Sequence, residues 1–301
     1  MTRLIAVIGA NGRSGRSLCS ALIAQGYNVR AILRRIETLP NDLRPHLHSV
    51  MQADLTNQDT LNTALQDVTL VANTAHARHI PAILQASSAP IIALGSTRKF
   101  TRWPDAHGNG VLAGEAALHQ DGRPSLLLHP TMIYGANGEN NVQRLAKLIR
   151  KLPIIPLPGG GTMQVQPIEQ RDVIQCLVAG TSLLIHHQIT TPETLIIAGK
   201  TALPYRQFIQ KISHYAGLRQ RPIVSVPGAL LAHLAWYTRC FSFVPTIKPE
   251  EIRRLLEDKI FDITPMQERL NVHPSSLDDG LERLFSSSNE ATLKQQNTSA
   301  P

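Results

Sequence analysis

Apolar runs bounded by turn-forming residues alternate with helically spaced apolar positions from the N-terminus onward, which is the pattern of a doubly wound α/β sheet. The run LIAVI predicts a first strand over Leu4–Ile8. A helix follows from about Arg13 to Gln25, closed by Gly26, and a second strand runs over Asn28–Leu33. Further strands are predicted over His48–Gln52, Val68–Asn73, Pro90–Leu94 and Ser125–His129, with helices in the gaps. These runs are continuous rather than alternating, as expected of parallel strands covered by helices on both faces.

After Tyr134 the texture changes. Gly and Pro crowd into PIIPLPGGG (Pro153–Gly161), the strands shorten, and helices are predicted near Asp172–Leu184, Tyr205–Ala216 and Pro249–Asp258. The division expected is a dinucleotide-binding unit over 1–152, with return elements near 163–185, and a smaller C-terminal α/β substrate region over 153–285. The helix over Asn140–Lys151 and the one after Asp172 are expected to pack back on the sheet. An apolar segment, Pro227–Val244, predicts a helix with three open roles: ordinary core, a pocket wall, or contact with a membrane surface. The polar, aperiodic stretch 286–301 reads as a disordered tail. No internal repeat is found.

The composition narrows the class. Of 301 residues, 43% are hydrophobic, 17% charged and 4% aromatic, which excludes a disordered chain and a base-stacking RNA binder. Thirty Lys and Arg against 22 Asp and Glu leave +8, but the cations are scattered, so the excess suits phosphorylated small ligands better than nucleic acid. Cys19, Cys176 and Cys240 are far apart, with neither a disulfide framework nor metal-ligand spacing, so no metal is expected and a reducing cytoplasm fits best. The N-terminal apolar run stops at Gly-Ala-Asn-Gly-Arg and reads as a strand rather than a signal peptide. No stretch reaches the roughly 18 apolar residues that span a bilayer.

The strongest local signal is Gly9-Ala-Asn11-Gly12-Arg13-Ser14-Gly15, directly after a strand and directly before a helix. Gly9 permits a tight turn, Gly12 allows backbone to approach a pyrophosphate, and Gly15 lets helix and strand pack, while the helix N-terminus favours anions. A site for NAD in such a unit ends its second strand with Asp or Glu to grip the ribose 2′-hydroxyl. Here the strand ends in Arg34-Arg35, and no carboxylate occurs before Glu37. Two guanidiniums favour the 2′-phosphate of NADP, with Arg13 as a third donor, although NAD is not excluded. Asp54-Leu55, after the third strand, is placed to flank an adenine; Asp54 could equally belong to the N-cap of the next helix.

These residues resemble the extended and atypical short-chain dehydrogenase/reductase superfamily, in its NAD-dependent epimerase/dehydratase and NAD(P)H-binding branch. Gly9–Gly15 is similar to that family's G-x-x-G-x-x-G, Gln52–Leu55 to its adenine-side acidic segment, and Ala93–Thr97 to its fifth-strand serine segment. Leu128–Gly135 resembles an Arg-Pro-x-x-x-Tyr-Gly strand with His129 in place of Arg, and Gln166–Val173 resembles a later His-Val-Asp-Asp-Val segment. Arg253–Asp262 resembles members related to a respiratory complex I accessory subunit. The resemblance implies a Rossmann-type fold and adds Thr74, Ser96, Pro130 and Thr131 to the cofactor site.

The superfamily's proton relay is Tyr-x-x-x-Lys on one helix. The residues four positions after the five tyrosines are Ala31, Gly138, Ile209, Arg219 and Phe241, so none has the partner; the matching helix carries Val111 and Glu115 at the two positions. Other candidates for chemistry are Thr97, His107 and Glu115, with Ser96 and Asp105 beside them, in a polar loop (Arg98, Lys99, Trp103) that should overhang the nicotinamide. Asp105 could equally be a turn former, Glu115 a plain helix former, and His129 a hydrogen-bonded core histidine. The function expected is an NADP(H)-dependent reductase or related oxidoreductase of a small organic substrate. The alternative is a non-catalytic NADP(H)-binding redox sensor or assembly factor; nucleotide-sugar epimerisation or dehydration is disfavoured by the missing tyrosine.

Overall fold

The computed structural model describes residues 3–135, 141–228 and 255–286. The first half of the chain forms β1 (Leu4–Ile8), α1 (Arg13–Ala24), β2 (Asn28–Leu33), β3 (Ser49–Gln52), α2 (Gln58–Ala64), β4 (Leu70–Asn73), α3 (Ile80–Ala86), β5 (Ile91–Leu94), α4 (Ala106–Asp121) and β6 (Ser125–Pro130). Every strand predicted there forms, with ends displaced by two residues at most. The chain continues through β7 (Ile133–Tyr134), α5 (Asn141–Lys151), β8 (Ile155–Pro158), β9 (Gln164–Val165), β10 (Ile168–Glu169), α6 (Gln170–Ile185) and β11 (Pro192–Ile197). It ends with β12 (Leu203–Pro204), α7 (Tyr205–Tyr215), β13 (Ile223–Val226), α8 (Thr264–Leu270) and α9 (277–286).

Seven strands make one parallel sheet in the order β11-β6-β5-β4-β1-β2-β3. The chain winds outward from β1 to β3, then returns to the other side of β1 at β4, so the order reverses between β1 and β4. A crevice opens at the carboxyl ends of the strands where such a reversal occurs. The two-residue repeat of β1 divides its side chains between two cores. Ile5 and Val7 pack with Leu18 and Leu22 of α1 and Leu177 of α6, whereas Ala6 and Ile8 pack with Ile80 and Ile83 of α3 and Val111 and Leu118 of α4. Burying each of the larger of these side chains contributes roughly 1.5–3 kcal/mol, so the sheet is held from both faces.

Three features of the second half depart from the periodicity. The seventh strand, β11, lies within the stretch where only short strands were expected, yet pairs with β6 along its whole length. The helix over 141–151 forms, but not on the sheet: Val142, Ala146 and Ile149 of α5 join Phe208, Ile209 and Ile212 of α7 and Leu281 and Leu284 of α9 in a third core. Its apolar stripe is covered by these helices and by short strands away from the seven-stranded sheet, and α6 alone of the two returns to that sheet. Of the helix predicted over 249–258, residues 249–254 lie outside the described residues and 255–257 form a turn. The predicted apolar helix over 227–244 and the tail over 286–301 lie almost wholly outside the described residues. No helix among the described residues is long and apolar enough to cross a membrane.

Candidate cofactor and active site

The glycine loop sits where β1 meets α1. Gly9 adopts φ +79° and donates its N–H to the Ile32 carbonyl at 3.0 Å, and Gly12 donates to the Gly9 carbonyl at 2.8 Å. A Cβ on Gly15 would overlap the Gly9 carbonyl, so this residue sets how closely α1 approaches the loop. Gly12 is the N-cap of α1 and supplies no side-chain acceptor, and the first turn carries no acid. The leading N–H groups of α1 and their positive potential are thus left to an anionic ligand. Arg13 and Ser14 open that first turn, Arg13 exposed and Ser14 half-buried. Asn11 donates its Nδ2 to Thr38 Oγ1 at 2.8 Å, and Thr74 Oγ1 donates to the Ile8 carbonyl at 2.8 Å, which ties the end of β4 to the end of β1.

Beside the loop lies a cleft of about 340 Å³, walled by Gly9, Asn11, Arg34, Asp54, Leu55, His76, Arg78 and His79 among others. Of the two arginines read from the sequence, Arg34 lines this cleft; Arg35 is exposed and begins the turn over 36–38. Asp54 Oδ1 accepts from the Thr56 N–H at 2.9 Å and the Thr56 hydroxyl at 2.7 Å. Those hydrogen bonds, with Arg34 nearby, hold its carboxyl below the ordinary range. The N-cap of α2 is Asn57, which accepts from the Thr60 N–H at 3.2 Å, so Asp54 is not the cap.

His76, Arg78 and His79 were not singled out by sequence reasoning. The signal was available: His76-Ala-Arg78-His79 begins three residues after the end of β4, at the same carboxyl edge as the glycine loop. His76 Nδ1 accepts from the Arg78 N–H at 3.1 Å, and its ring meets His107 edge-on with centroids 4.3 Å apart. Burial, then the neighbouring His107, Arg78 and His79, lower the His76 pKa to about 4. His107 therefore packs against the cleft residue His76 and does not itself line the cleft.

The ends of β5 and β6 carry the second cluster. Ser96 Oγ accepts from the Arg98 N–H at 3.1 Å, and Thr97 Oγ1 donates to the Pro130 carbonyl at 3.1 Å. Arg98 Nε donates to Asp105 Oδ2 at 2.6 Å, while Asp105 Oδ1 caps α4 by accepting from the Gly108 N–H at 2.8 Å. Val111 is sealed in the core. Glu115, one turn further along, receives Lys99 Nζ at 2.7 and 2.5 Å and stands 3.5 Å from His129 Nε2. His129 is 1% exposed, and burial, reinforced by Lys99 and opposed by Glu115, lowers its pKa to about 4. Thr131 is buried with its hydroxyl donated to the Gln166 carbonyl at 2.5 Å.

The four described tyrosines serve packing elsewhere. Tyr27 packs on the α1/α6 core, Tyr134 is buried in the third core, and Tyr205 and Tyr215 pack against that third core. Burial, then Glu169 and Asp172, push the Tyr134 hydroxyl far above its ordinary value. Tyr237 lies outside the described residues. Cys19 and Cys176 are buried free thiols, pushed up to about 12 by burial, and so are poor nucleophiles. No group of three or more metal-ligating side chains occurs among the described residues.

The glycine loop, the uncapped N-terminus of α1 and the cation-lined cleft suit a dinucleotide. Residues 9–102 match the model of an NAD(P)H-binding family. No curated protein matches the chain. Solved structures with the same fold include UDP-glucose 4-epimerase from Thermotoga maritima, 15% identical over 96% of this chain and 99% of that one, with a TM-score of 0.71. UDP-glucuronic acid 4-epimerase from Bacillus cereus, solved with UDP-glucuronic acid and NAD, is 20% identical over 96% of this chain and 99% of that one, with a TM-score of 0.70. A nucleoside-diphosphate-sugar epimerase from Staphylococcus aureus is 18% identical over 94% of this chain and all of that one, with a TM-score of 0.71. Residues 9–102 are thus similar to an NAD(P)H-binding family, and the chain shares its overall fold with these solved structures.

Proposed function

We propose that the protein is an NADP(H)-dependent oxidoreductase that reduces a small organic substrate without a tyrosine proton relay. The observation that carries the cofactor half of this reading is Arg34: it lines the cleft at the end of β2, where a ribose-gripping carboxylate would select NAD. Arg78 and His79 share that wall, and among the described residues Asp54 is its one carboxylate. When bound, the dinucleotide supplies hydride at nicotinamide C4. The protein's contribution is then mainly orientation, with the proton that completes the reduction of the substrate oxygen or carbon drawn from water.

The helix that would carry a tyrosine base presents the buried Val111 instead, and Glu115 is engaged by Lys99. This supports reduction over sugar epimerisation, which needs a base acting on a substrate hydroxyl. Steady-state oxidation of NADPH with a panel of aldehydes, ketones and enones tests the reading. Saturable turnover is expected with at least one class. Tight NADPH binding with no turnover across the panel would replace it with a non-catalytic nucleotide sensor.

A further inference from the structure

The cleft lined by Arg34 spans the carboxyl ends of β1, β2 and β3 and is closed by the segment after β4, and the glycine loop follows β1. A dinucleotide anchored there by its adenosine half must continue past the reversal point, over the carboxyl ends of β4, β5 and β6. The turn that stands at the end of β5 is Ser96–Lys99, and it is fixed on three sides. Thr97 is bonded to Pro130 at the end of β6, the Ser96 N–H donates to His129 Nδ1 at 3.3 Å, and Arg98 is paired with the N-cap Asp105.

Lys99 closes this turn with a side chain 9% exposed, paired with a Glu115 side chain 17% exposed. Largely buried ion pairs are poor stabilisers, because desolvating both charges offsets their attraction. Stability alone does not account for placing one at the carboxyl ends of β5 and β6. The proton inventory adds a second argument. His129 Nδ1 accepts from Ser96, so the neutral ring carries its proton on Nε2 and cannot also accept from Lys99, whose Nζ is 3.2 Å away. Two ammonium protons satisfy the two Glu115 oxygens. The third has no acceptor within this cluster, and the Phe100 ring flanks the ammonium at 4.9 Å.

Resting on the cofactor reading above, we propose that Lys99 is a cofactor-contacting residue: its ammonium, oriented by Glu115, donates to the oxygen acceptors of the nicotinamide-side ribose. Glu115 is then a positioning residue and His129 a neutral spacer that holds the turn. The cation that faces the reacting half of the dinucleotide comes from the turn after β5 and not from α4.

Calorimetric titration of the full chain with NADPH and with 2′,5′-ADP, which carries only the adenosine half, tests this. A Lys99→Met change should weaken NADPH by about tenfold or more, the loss of one charge-assisted hydrogen bond, and leave 2′,5′-ADP within about twofold. The neutral double variant Lys99→Met/Glu115→Gln, which strands no carboxylate, should behave likewise, and Lys99→Arg should recover part of the affinity. In the unmodified protein, NADPH but not 2′,5′-ADP should shield Lys99 from reductive methylation read by mass spectrometry. Unchanged NADPH affinity in the double variant, equal loss for both ligands, or no selective shielding would overturn the assignment of Lys99 while leaving the cofactor site in place. Failure of the unmodified protein to bind either ligand would instead overturn the cofactor reading, and this inference with it.

Discussion

The backbone N–H of Ser96 donates to Nδ1 of His129 at 3.3 Å, across 33 residues of sequence, and so fixes which ring nitrogen of a fully buried histidine carries the proton. A histidine so placed cannot charge without losing that bond and setting a cation beside Lys99. It stays neutral well below the pH at which an exposed imidazole would titrate, consistent with its lowering to about 4.

A pH dependence of stability follows. The unfolded chain protonates His129 below about pH 6.5, the ordinary value, whereas the folded chain resists until about pH 4. Between those limits the unfolded state binds more protons, so stability falls as pH falls through that window, and the half-buried His76 adds to the same trend. The melting temperature should be lower at pH 4.5 than at pH 7. His129→Gln, whose carbonyl can still accept from Ser96, should flatten this slope. An equally steep slope in the variant would mean that other groups control it.

Cofactor choice should depend on Arg34 and not on Arg35. One charge-assisted contact to a 2′-phosphate contributes roughly 1.5–3 kcal/mol, so Arg34→Ala should weaken NADPH by about ten- to a hundredfold and leave NADH nearly unchanged. Arg35→Ala, at an exposed side chain off the cleft, should change either affinity by less than about twofold. Equal affinity of the unmodified protein for the two dinucleotides would remove the basis of this expectation.

The same pair shows where the sequence is legible and where it is not. Strand β1, the glycine loop and the end of β2 are contiguous, so periodicity and spacing place them correctly. Which of two adjacent arginines turns into the cleft depends on the backbone turn at 36–38, which no period encodes. The Lys99–Glu115–His129 cluster joins residues from a turn, a helix and a strand up to 30 positions apart, and only the packing of α4 against the end of β5 brings them together. The apolar stripe of α5 was visible as a stripe, but a stripe does not say whether a sheet or another helix will cover it.

The C-terminal helix is held by a close approach that a single methyl should break. A Cβ on Gly280 would overlap the Tyr134 hydroxyl, which is buried in the third core beside the Glu169–Arg283 ion pair. Gly280→Ala should therefore destabilise by about 1–3 kcal/mol, the usual range for overpacking. Gly280→Ala combined with Tyr134→Phe, which deletes the clashing oxygen, should recover part of that loss in a denaturant melt. Additive losses in the double variant would show that the two residues do not conflict.

Turnover, where it is found, should not rest on any of the four described tyrosines. A tyrosine acting as proton donor near neutral pH needs a cation or base beside it to move its pKa down from about 10. Burial and neighbouring carboxylates move Tyr134 the other way, and desolvation followed by its hydrogen bond to Asp278 at 3.0 Å raises Tyr215 as well. Tyr27 and Tyr205 pack against hydrophobic cores rather than at the end of β5. Phe substitutions at Tyr27, Tyr134, Tyr205 and Tyr215, assayed singly on whichever substrate the panel yields, should each keep turnover within about tenfold, or roughly 1.4 kcal/mol of transition-state stabilisation. The Glu115 and Lys99 variants, by contrast, should lower NADPH oxidation at subsaturating cofactor, because they act on its placement. A thousandfold loss in any one Tyr→Phe variant, with NADPH affinity intact, would move the proton donor to that tyrosine and the reacting centre away from the ends of β5 and β6.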